Sequence, residues 1–545
     1  MRPLSRLLLS AASLSAIVVA VPAIAKPTHS RPSSTSQAAE LKALREQIQI
    51  LTARLDAQEA ATLQTQSATR DVQAQTAAVT AQAAEMHAVS VTPSVTEAQV
   101  SSQIASAISK EHANDKFYFK GITITPGGFL ELAGIYRQHF MGNDISTGFN
   151  TIPFPSSHQG YTNEGRLSAR QSRLSFLAQG QVNKQVTLGM YGEFDFQGAA
   201  QTANSNESNS YNPRIRQLYG TIDWDRGNSG IHLLAGQNWS LVTMNTKGIT
   251  PRNELTPPQI DAQYVPGFAW TRTPQIRVAA DFLDHKLWLA VSAENPATTS
   301  NGTVPAFITN TSPSGSGFDS ANTLSLNHVP DMVGKVAYEA NLGGHGLHIE
   351  AFGVYRNFSA HVNGANNINK SGGGFGGGIV FQAIPKVLDL QASVMTGRGI
   401  GRYGSSQLPD VTFGADGTIH PIRETMILVG ATLHATKRID LYGFAGEERD
   451  QRESLGNVGA TLYGYGNPLL NNSGCLIEGG TCSGVSKDVR QLTFGIWDKF
   501  YQGAFGRAQV GVQYSYTDRE LFSAVGGAPR ANQSMGFVSF RYYPF

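Results

Sequence analysis

The chain from residue 117 onward consists of short amphipathic segments joined by connections that are alternately short and long. Apolar and polar residues alternate along many of these segments, which is the period of a β-strand with two different faces. We count about sixteen such segments, an even number, as bacterial barrels have. A β-propeller or stacked sandwiches would also contain many strands, but neither predicts that every second connection is long. The pattern therefore predicts an all-β fold, a transmembrane antiparallel β-barrel.

The predicted strands lie between these connections. The short connections include Asn183-Lys184 and Pro385-Lys386, and the long ones include 241–270 and 450–487. The barrel domain as a whole is predicted over 117–545. Its strands are expected at 127–138, 166–181, 185–197, 213–225, 230–240, 271–281, 285–294, 331–341, 346–358, 374–384, 387–398, 422–434, 438–449, 488–498, 504–516 and 534–545.

The last of these segments has the form of a closing barrel strand, because it alternates and finishes on the aromatic Phe545. We expect it to pair with the strand near Phe129, since a barrel in lipid leaves no sheet edge open. Its register at the end stays open, because Pro544 has no N–H to donate to the ladder. The alternation predicts which side chains face lipid and which face the lumen: outward Val538, Phe540 and Tyr542, and inward Ser539 and Arg541.

The N-terminal part is predicted to be separate from the barrel. Residues 1–25 read as a secretory signal peptide, because basic residues precede an apolar run and Ala23-Ile24-Ala25 forms a small-residue cleavage site. The segment 26–37 is rich in Pro, Ser and Thr and is predicted to be disordered. Over 38–59 apolar residues recur at heptad a and d positions, which predicts a short parallel coiled coil, with a single amphipathic helix as the alternative. Residues 60–116 read as a fraying helix and a linker.

The composition excludes several classes of protein. Beyond the signal peptide, no apolar stretch is long enough for a membrane-spanning helix. The formal net charge of +2 gives no indication of a nucleic-acid partner. Cys475 and Cys482 are the only cysteines and lie close together in a Gly- and Asn-rich stretch, so an oxidising compartment would join them as a local disulfide. No His or further Cys lies beside them, and we therefore expect neither a metal site there nor any cofactor.

Several strands carry charged residues on the face that we assign to the lumen. In 186–196, Val, Leu, Met and Phe share one face, whereas Glu193 and Asp195 share the other. By the same alternation Arg173 and Arg277 point inward. Around Arg170, and in the segment that holds Arg214 and Arg216, polar and apolar residues do not separate cleanly, which a bulge or the membrane boundary would explain.

Signals for enzymatic chemistry are weak. The run Gly372, Gly374 and Gly377 fits G-x-G-x-x-G, but it begins a strand and no helix follows, so nucleotide binding is not expected. The sequence contains neither H-E-x-x-H nor G-x-S-x-G. A hydrolase barrel that assembles its catalytic groups only in space stays conceivable, but such barrels are smaller. We therefore predict that the chain is not an enzyme.

Several strings together resemble one family, the DcaP-like outer-membrane porins, which are related in layout to the phosphate-selective porins. The resemblance covers most of the barrel to about Tyr403 and weakens afterwards. The strings are Ser168-Ala169-Arg170-Gln171-Ser172-Arg173-Leu174, Tyr191-Gly192-Glu193-Phe194-Asp195-Phe196, Arg214-Ile215-Arg216-Gln217-Leu218-Tyr219-Gly220, Ala235-Gly236-Gln237-Asn238-Trp239-Ser240, Arg272-Thr273-Pro274-Gln275-Ile276-Arg277, Glu294-Asn295-Pro296 and Pro330-Asp331.

The resemblance implies a homotrimer of sixteen-stranded barrels in the outer membrane of a Gram-negative bacterium, each with its own pore, and a periplasmic coiled coil. It also implies uptake of small organic anions, dicarboxylates among them. The partners expected are outer-membrane lipids, lipopolysaccharide and, for the last strand, the barrel-assembly machinery. A phosphate-type pore and a surface receptor or adhesin, which would bind through loop 450–487, are the alternatives.

The resemblance further points to the third outer loop, Leu241 to Trp270, as the pore constriction. Inward arginines opposite its charged residues would favour anions, because the planar guanidinium pairs with carboxylates and keeps its charge. Neutralising Arg173 and Arg277 together is expected to reduce that preference. The alternative is that the wall residues only neutralise one another. The residues predicted to line the pore are Arg170, Arg173, Arg214, Arg216, Arg277, Glu193 and Asp195 in the wall, with Lys247, Arg252, Glu254 and Asp261 in the loop.

Overall fold

The computed structural model describes Gln49, Thr52 and residues 116–201, 211–311 and 324–545. The predicted signal peptide, the 26–37 segment, the coiled coil apart from Gln49 and Thr52, and the 60–116 segment apart from its last residue lie outside the described residues. The barrel belongs to a compact unit that spans Ala107–Phe545. Within the described part of the chain, no helix is both long and apolar enough to cross a membrane.

The barrel is a closed antiparallel sheet of sixteen strands, as the alternating connections predicted. In chain order its strands are Ile122–Arg137, the pair of segments Glu164–Ser168 and Arg173–Asn183, Val186–Gln201, Tyr211–Asp225, Gly230–Trp239, Arg272–Phe282, Leu287–Glu294, Asp331–Leu342, His345–Val362, Asn367–Ile384, Leu388–Arg398, Arg423–His434, Ile439–Asp450, Ser486–Gly503, Gly506–Leu521 and Arg530–Tyr543.

Short elements decorate the barrel. A strand at Phe117–Phe119 pairs with the start of the first barrel strand. Other short strands lie in the long loops, at Ile308–Thr309, Val411–Phe413, Ile419–Pro421, Glu453–Val458 and Thr461–Tyr465, and 3-10 helices lie at Phe149–Thr151, His158–Tyr161 and Gly401–Tyr403.

The last strand closes the barrel by pairing with the first. Leu130 lies opposite Tyr542 and Arg137 lies opposite Met535, so the predicted pairing near Phe129 is confirmed. The predicted end of the strand at residue 545 is wrong, because the strand finishes at Tyr543. The physical reason is Pro544, which cannot donate to the ladder and leaves Phe545 60% exposed beyond it.

The two faces of the wall follow the period of two. On the last strand Val538 and Phe540 are exposed on the outer face, whereas Ser539 is fully buried and Arg541 is 9% exposed. The strand Asp331–Leu342 shows the same alternation over its first eight residues. Apolar side chains therefore cover the outside of these strands, and polar or charged side chains such as Ser539 and Arg541 point inward.

Two irregularities explain the arginines whose faces the alternation left open. The second barrel strand is interrupted at 169–172, where the Ser172 hydroxyl accepts the Glu131 amide N–H at 2.9 Å. In the fourth strand the register slips, since Glu193 lies opposite Gln217 while Phe194 lies opposite Ile215. Arg216 is thus the extra residue of a β-bulge, and a bulge re-aims the side chains around it.

The glycine-rich run lies in the tenth barrel strand and has a packing role. A Cβ on Gly378 would lie 2.3 Å from Met244 Sδ, and one on Gly376 would lie 2.6 Å from the Phe352 ring. The glycines thus leave room for side chains inside the barrel.

Candidate functional site: the lumen loop and the arginine cluster

The loop 241–270 lies inside the barrel. One limb buries Leu241, Val242 and Ile249 against apolar wall residues of the sixth to ninth, eleventh and twelfth strands. The other limb buries Ile260, Tyr264 and several neighbours against the first, twelfth to fourteenth and sixteenth strands. Since its two limbs pack against different parts of the wall, the loop crosses the lumen and narrows it.

Hydrogen bonds fix the second limb to the wall. The Ile260 amide N–H donates to Gln513 Oε1 at 2.6 Å, and the Trp497 indole N–H donates to the Pro258 carbonyl at 2.9 Å. Nearby the loop backbone approaches the wall closely: a Cβ on Gly446 would lie 1.9 Å from the Pro266 carbonyl oxygen. Only glycine fits at that position of the wall.

A second inserted segment, 399–410, supports the first and was not predicted. The Trp270 amide N–H donates to the Tyr403 carbonyl at 2.7 Å, and the Trp270 indole N–H donates to Ser405 Oγ at 3.0 Å. The Gln263 side-chain amide donates to the Ser405 carbonyl at 2.7 Å. No local sequence signal marks this segment as a lumen element, because its path depends on the loop that it contacts.

On the wall, two of the predicted arginines meet both predicted carboxylates. Arg216 Nε lies 2.6 Å from Glu193 Oε1, and its Nη1 lies 3.1 Å from Asp195 Oδ2. Arg214 binds Asp195 through two parallel hydrogen bonds of 2.9 and 2.7 Å. Arg216 is almost fully buried, whereas the Arg214 side chain is 39% exposed. This part of the cluster matches the wall network considered from the sequence.

Two further arginines give the cluster an excess of positive charge. Arg173 lies over the Phe129 ring, and its charge acts on Glu193. Arg272, which the sequence reasoning did not select, lies 4.8 Å from the Trp239 ring centroid and also acts on Glu193. Four guanidinium groups therefore surround two carboxylates. The cluster has a net positive charge even after the carboxylates are paired.

The positive charge of the cluster affects the pKa of Tyr264, which lies on the lumen loop. Burial by itself raises the pKa of a phenol, but the guanidinium groups of Arg216, Arg173 and Arg272 outweigh it and lower the pKa of Tyr264 below its usual value. Three buried guanidinium nitrogens of the cluster also lack a hydrogen-bond partner among the residues that the structure describes: Arg173 Nε, Arg216 Nη2 and Arg272 Nη1. Because these nitrogens are buried, the cluster acts on a solute anion through its positive potential.

The other two predicted wall arginines do not join the cluster through ion pairs with Glu193 or Asp195. Arg277 is buried and donates to Gln275 Oε1 and to the Trp239 carbonyl. Arg170 lies in the interruption of the second strand and donates to the Phe196 and Gly198 carbonyls at 3.1 and 2.7 Å. Both arginines hold backbone in place.

The charged loop residues take separate positions. Lys247 lines a cavity of about 890 Å³ beside the tip of the loop. Arg252 lies over the Tyr191 ring at 5.8 Å and lines a second cavity of about 470 Å³. Glu254 is half-buried, and the loss of solvent around its carboxyl raises its pKa. Asp261 accepts the Thr147 and Gln263 amide N–H groups, and burial raises its pKa as well.

Cys475 and Cys482 form a disulfide within a loop between the thirteenth and fourteenth barrel strands.

Among the described residues, no group of three or more His, Cys, Asp or Glu side chains has an arrangement that would hold a metal ion.

Comparison with solved structures supports the fold. The outer-membrane channel DcaP of Acinetobacter baumannii is 18% identical, and the match covers 78% of this chain and 99% of that one with a TM-score of 0.55. The chain shares the fold of DcaP. The fold expected from the resemblance is thereby confirmed, and it is the fold of an outer-membrane porin channel.

Weaker matches add nothing to that argument. The anion-selective porin of Comamonas acidovorans is 11% identical over 77% of this chain and 99% of that one, with a TM-score of 0.41. OprB of Pseudomonas putida is 9% identical over 77% of this chain and 94% of that one, with a TM-score of 0.42. No protein-family model matches the chain, and no curated protein sequence matches it.

Proposed function

We propose that this chain is an outer-membrane porin whose water-filled channel prefers small organic anions such as dicarboxylates. The observation that carries the proposal is the excess of guanidinium groups over carboxylates in the cluster of Arg173, Arg214, Arg216 and Arg272, on the wall beside the lumen loop. A passing anion meets positive charge where the loop narrows the channel, and a ring of Arg favours anions.

The geometry also supports a carboxylate as the solute group. The planar guanidinium offers two parallel N–H donors, which match the two oxygens of a carboxylate. Glu193 and Asp195 keep the binding weak, because they occupy part of the donor set of Arg214 and Arg216. Weak binding is required, since a solute that binds tightly does not leave the pore.

We further propose that the protein is a homotrimer in a Gram-negative outer membrane, with its N-terminal segment in the periplasm. The support is the resemblance to the DcaP-like family and the heptad pattern over 38–59. Electrophoresis of unheated protein with and without residues 38–59 tests whether that segment contributes to assembly.

Liposome swelling tests the solute preference. Proteoliposomes are placed in matched series of anionic, neutral and cationic solutes of equal size, and we expect the dicarboxylates to enter fastest. Equal rates for anions and cations would contradict the preference. No swelling with any solute would contradict the channel itself and would favour a receptor or adhesin.

A further inference from the structure

We propose that Glu339, His348, Glu350 and Lys335 form a proton-dependent latch that holds the tip of the lumen loop against the barrel wall. This inference rests on the proposed pore function, because the position of that tip then sets the width of the channel. The four side chains come from the eighth and ninth barrel strands and face the lumen. Sequence reasoning did not select any of them.

Two of these carboxylates hold the backbone of the loop. The Gly248 amide N–H donates to Glu339 Oε1 at 2.6 Å, and the Asn245 amide N–H donates to Glu350 Oε2 at 3.0 Å. Thr246 N–H donates to the Asn253 carbonyl, which closes the tip into a hairpin. The carboxylates therefore bind the tip on one limb of that hairpin.

Lys335 and His348 hold the carboxylates in turn. Lys335 Nζ donates to Glu350 Oε1 and to the Thr243 carbonyl, both at 2.7 Å. His348 Nδ1 lies 2.6 Å from Glu339 Oε1, and its Nε2 lies 3.0 Å from Glu350 Oε2. The imidazole thus bridges the two acceptors of the loop, and it is 3% exposed.

The bridge requires an imidazolium ion. An ionised carboxylate only accepts hydrogen bonds, so both ring nitrogens of His348 must donate. A neutral imidazole has one donor, and its other nitrogen would then place a lone pair against a carboxylate oxygen. With the imidazolium the four side chains are neutral in sum, whereas loss of the proton leaves a buried negative charge.

Several charged groups of other elements surround the latch. Beyond the four latch residues, Arg277 and Glu254 act on Lys335, and Lys247 and Lys286 line the cavity of about 890 Å³ that His348 also lines. Asp389 and the second histidine bridge described next line the same cavity. Between the usual pKa values of histidine and lysine, His348 is therefore the latch residue that we expect to lose its proton.

The chain offers a matched control. His434 also lies between two carboxylates, 2.8 Å from Asp440 Oδ1 and 3.3 Å from Asp389 Oδ2, and it lines the same cavity. Neither of these carboxylates has a hydrogen bond to the loop among the contacts of the described residues. His434→Gln therefore removes an equivalent bridge without touching the tip.

Single-channel recording of the full-length protein from about pH 5.5 to about pH 9.5 tests the latch. In the wild type we expect a second conductance level whose occupancy rises by about tenfold with pH, because one charge-assisted hydrogen bond is lost. In His348→Gln we expect that level to be populated at every pH, with a flat profile. His434→Gln should keep the wild-type profile.

Glu339→Gln is the second variant, for the case that His348→Gln does not fold. It keeps an acceptor for Gly248 and removes the negative charge, so its profile should be shifted or absent. A wild type that conducts with no pH-dependent level, or a His348→Gln channel that retains the transition, would overturn the latch and leave the porin intact. A wild type that forms no channel refutes the proposed function and the latch together.

Discussion

Removing Arg173 and Arg272, which give the cluster its net positive charge, should weaken the preference of the channel for anions. Coulomb's law gives the size of this effect. The perturbation is the double substitution Arg173→Gln and Arg272→Gln, which leaves Arg214 and Arg216 paired with their carboxylates. Arg272 takes the place of Arg277 in this test, because Arg277 donates to Gln275 and to the Trp239 carbonyl rather than joining the cluster.

The size of the effect follows from distance and screening. One unit charge at about 5 Å from a passing anion contributes roughly 0.8 kcal/mol in water, and a Debye length of about 10 Å in 0.1 M salt reduces this to about 0.5 kcal/mol. Two such charges stabilise an anion by about 1 kcal/mol and destabilise a cation by the same amount, so the ratio of anion to cation permeability changes by about 2 kcal/mol, which is roughly thirtyfold. A lower effective dielectric constant near the wall would only enlarge it.

The assay is the reversal potential in a planar bilayer under a salt gradient. Arg226→Gln is the control for position, because it removes one arginine charge from an exposed site in a short turn far along the strand from the cluster. A folded double variant whose permeability ratio equals that of the wild type would refute the reasoning. The same ratio in Arg226→Gln and in the double variant would also refute it.

Three further predictions concern stability. Arg356 is buried between two carboxylates, so Arg356→Met should cost about 3–5 kcal/mol and lower the thermal midpoint of the barrel, and an unchanged midpoint would contradict the buried pairing. Replacing Cys475 and Cys482 by Ser should make loop 450–487 more susceptible to proteolysis and leave the conductance unchanged, and a protease sensitivity equal to that of the wild type would contradict the role of the disulfide. Because burial raises the pKa of Asp261 in the folded protein, its ionisation opposes folding as pH rises above about 4, so Asp261→Asn should flatten the loss of thermal stability in that range.

Some of the site was visible in the sequence because a strand has only two faces. Alternation alone assigned Glu193, Asp195, Arg173 and Arg277 to the lumen, and in the structure Glu193 and Asp195 bind Arg214 and Arg216. It left the face of Arg216 open, because a bulge adds a residue to one strand there and shifts the faces. A bulge is a property of two paired strands, so the sequence of one strand does not reveal it.

The pairing of Arg214 and Arg216 with Glu193 and Asp195 matches the wall network considered from the sequence, but the further members of the cluster did not follow from it. Arg272 joins the cluster because the rings of Trp239 and Trp270 hold it, and these lie at the end of one strand and in the lumen loop. The latch likewise depends on where the tip of the loop lies against the eighth and ninth strands. Such contacts depend on strand stagger and on the path of a loop, and neither leaves a local pattern.

The sequence by itself determined the barrel, its strand number, its two faces and its closing pair of strands. The physical reason is that apolar and polar residues must alternate along a membrane-spanning strand and that every strand edge must be paired. Both requirements therefore act on the sequence of each segment. Only the tertiary structure decided which arginines carry surplus charge, how the loop crosses the lumen and what holds its tip. Those outcomes depend on distances between residues far apart in the chain, which folding alone brings together.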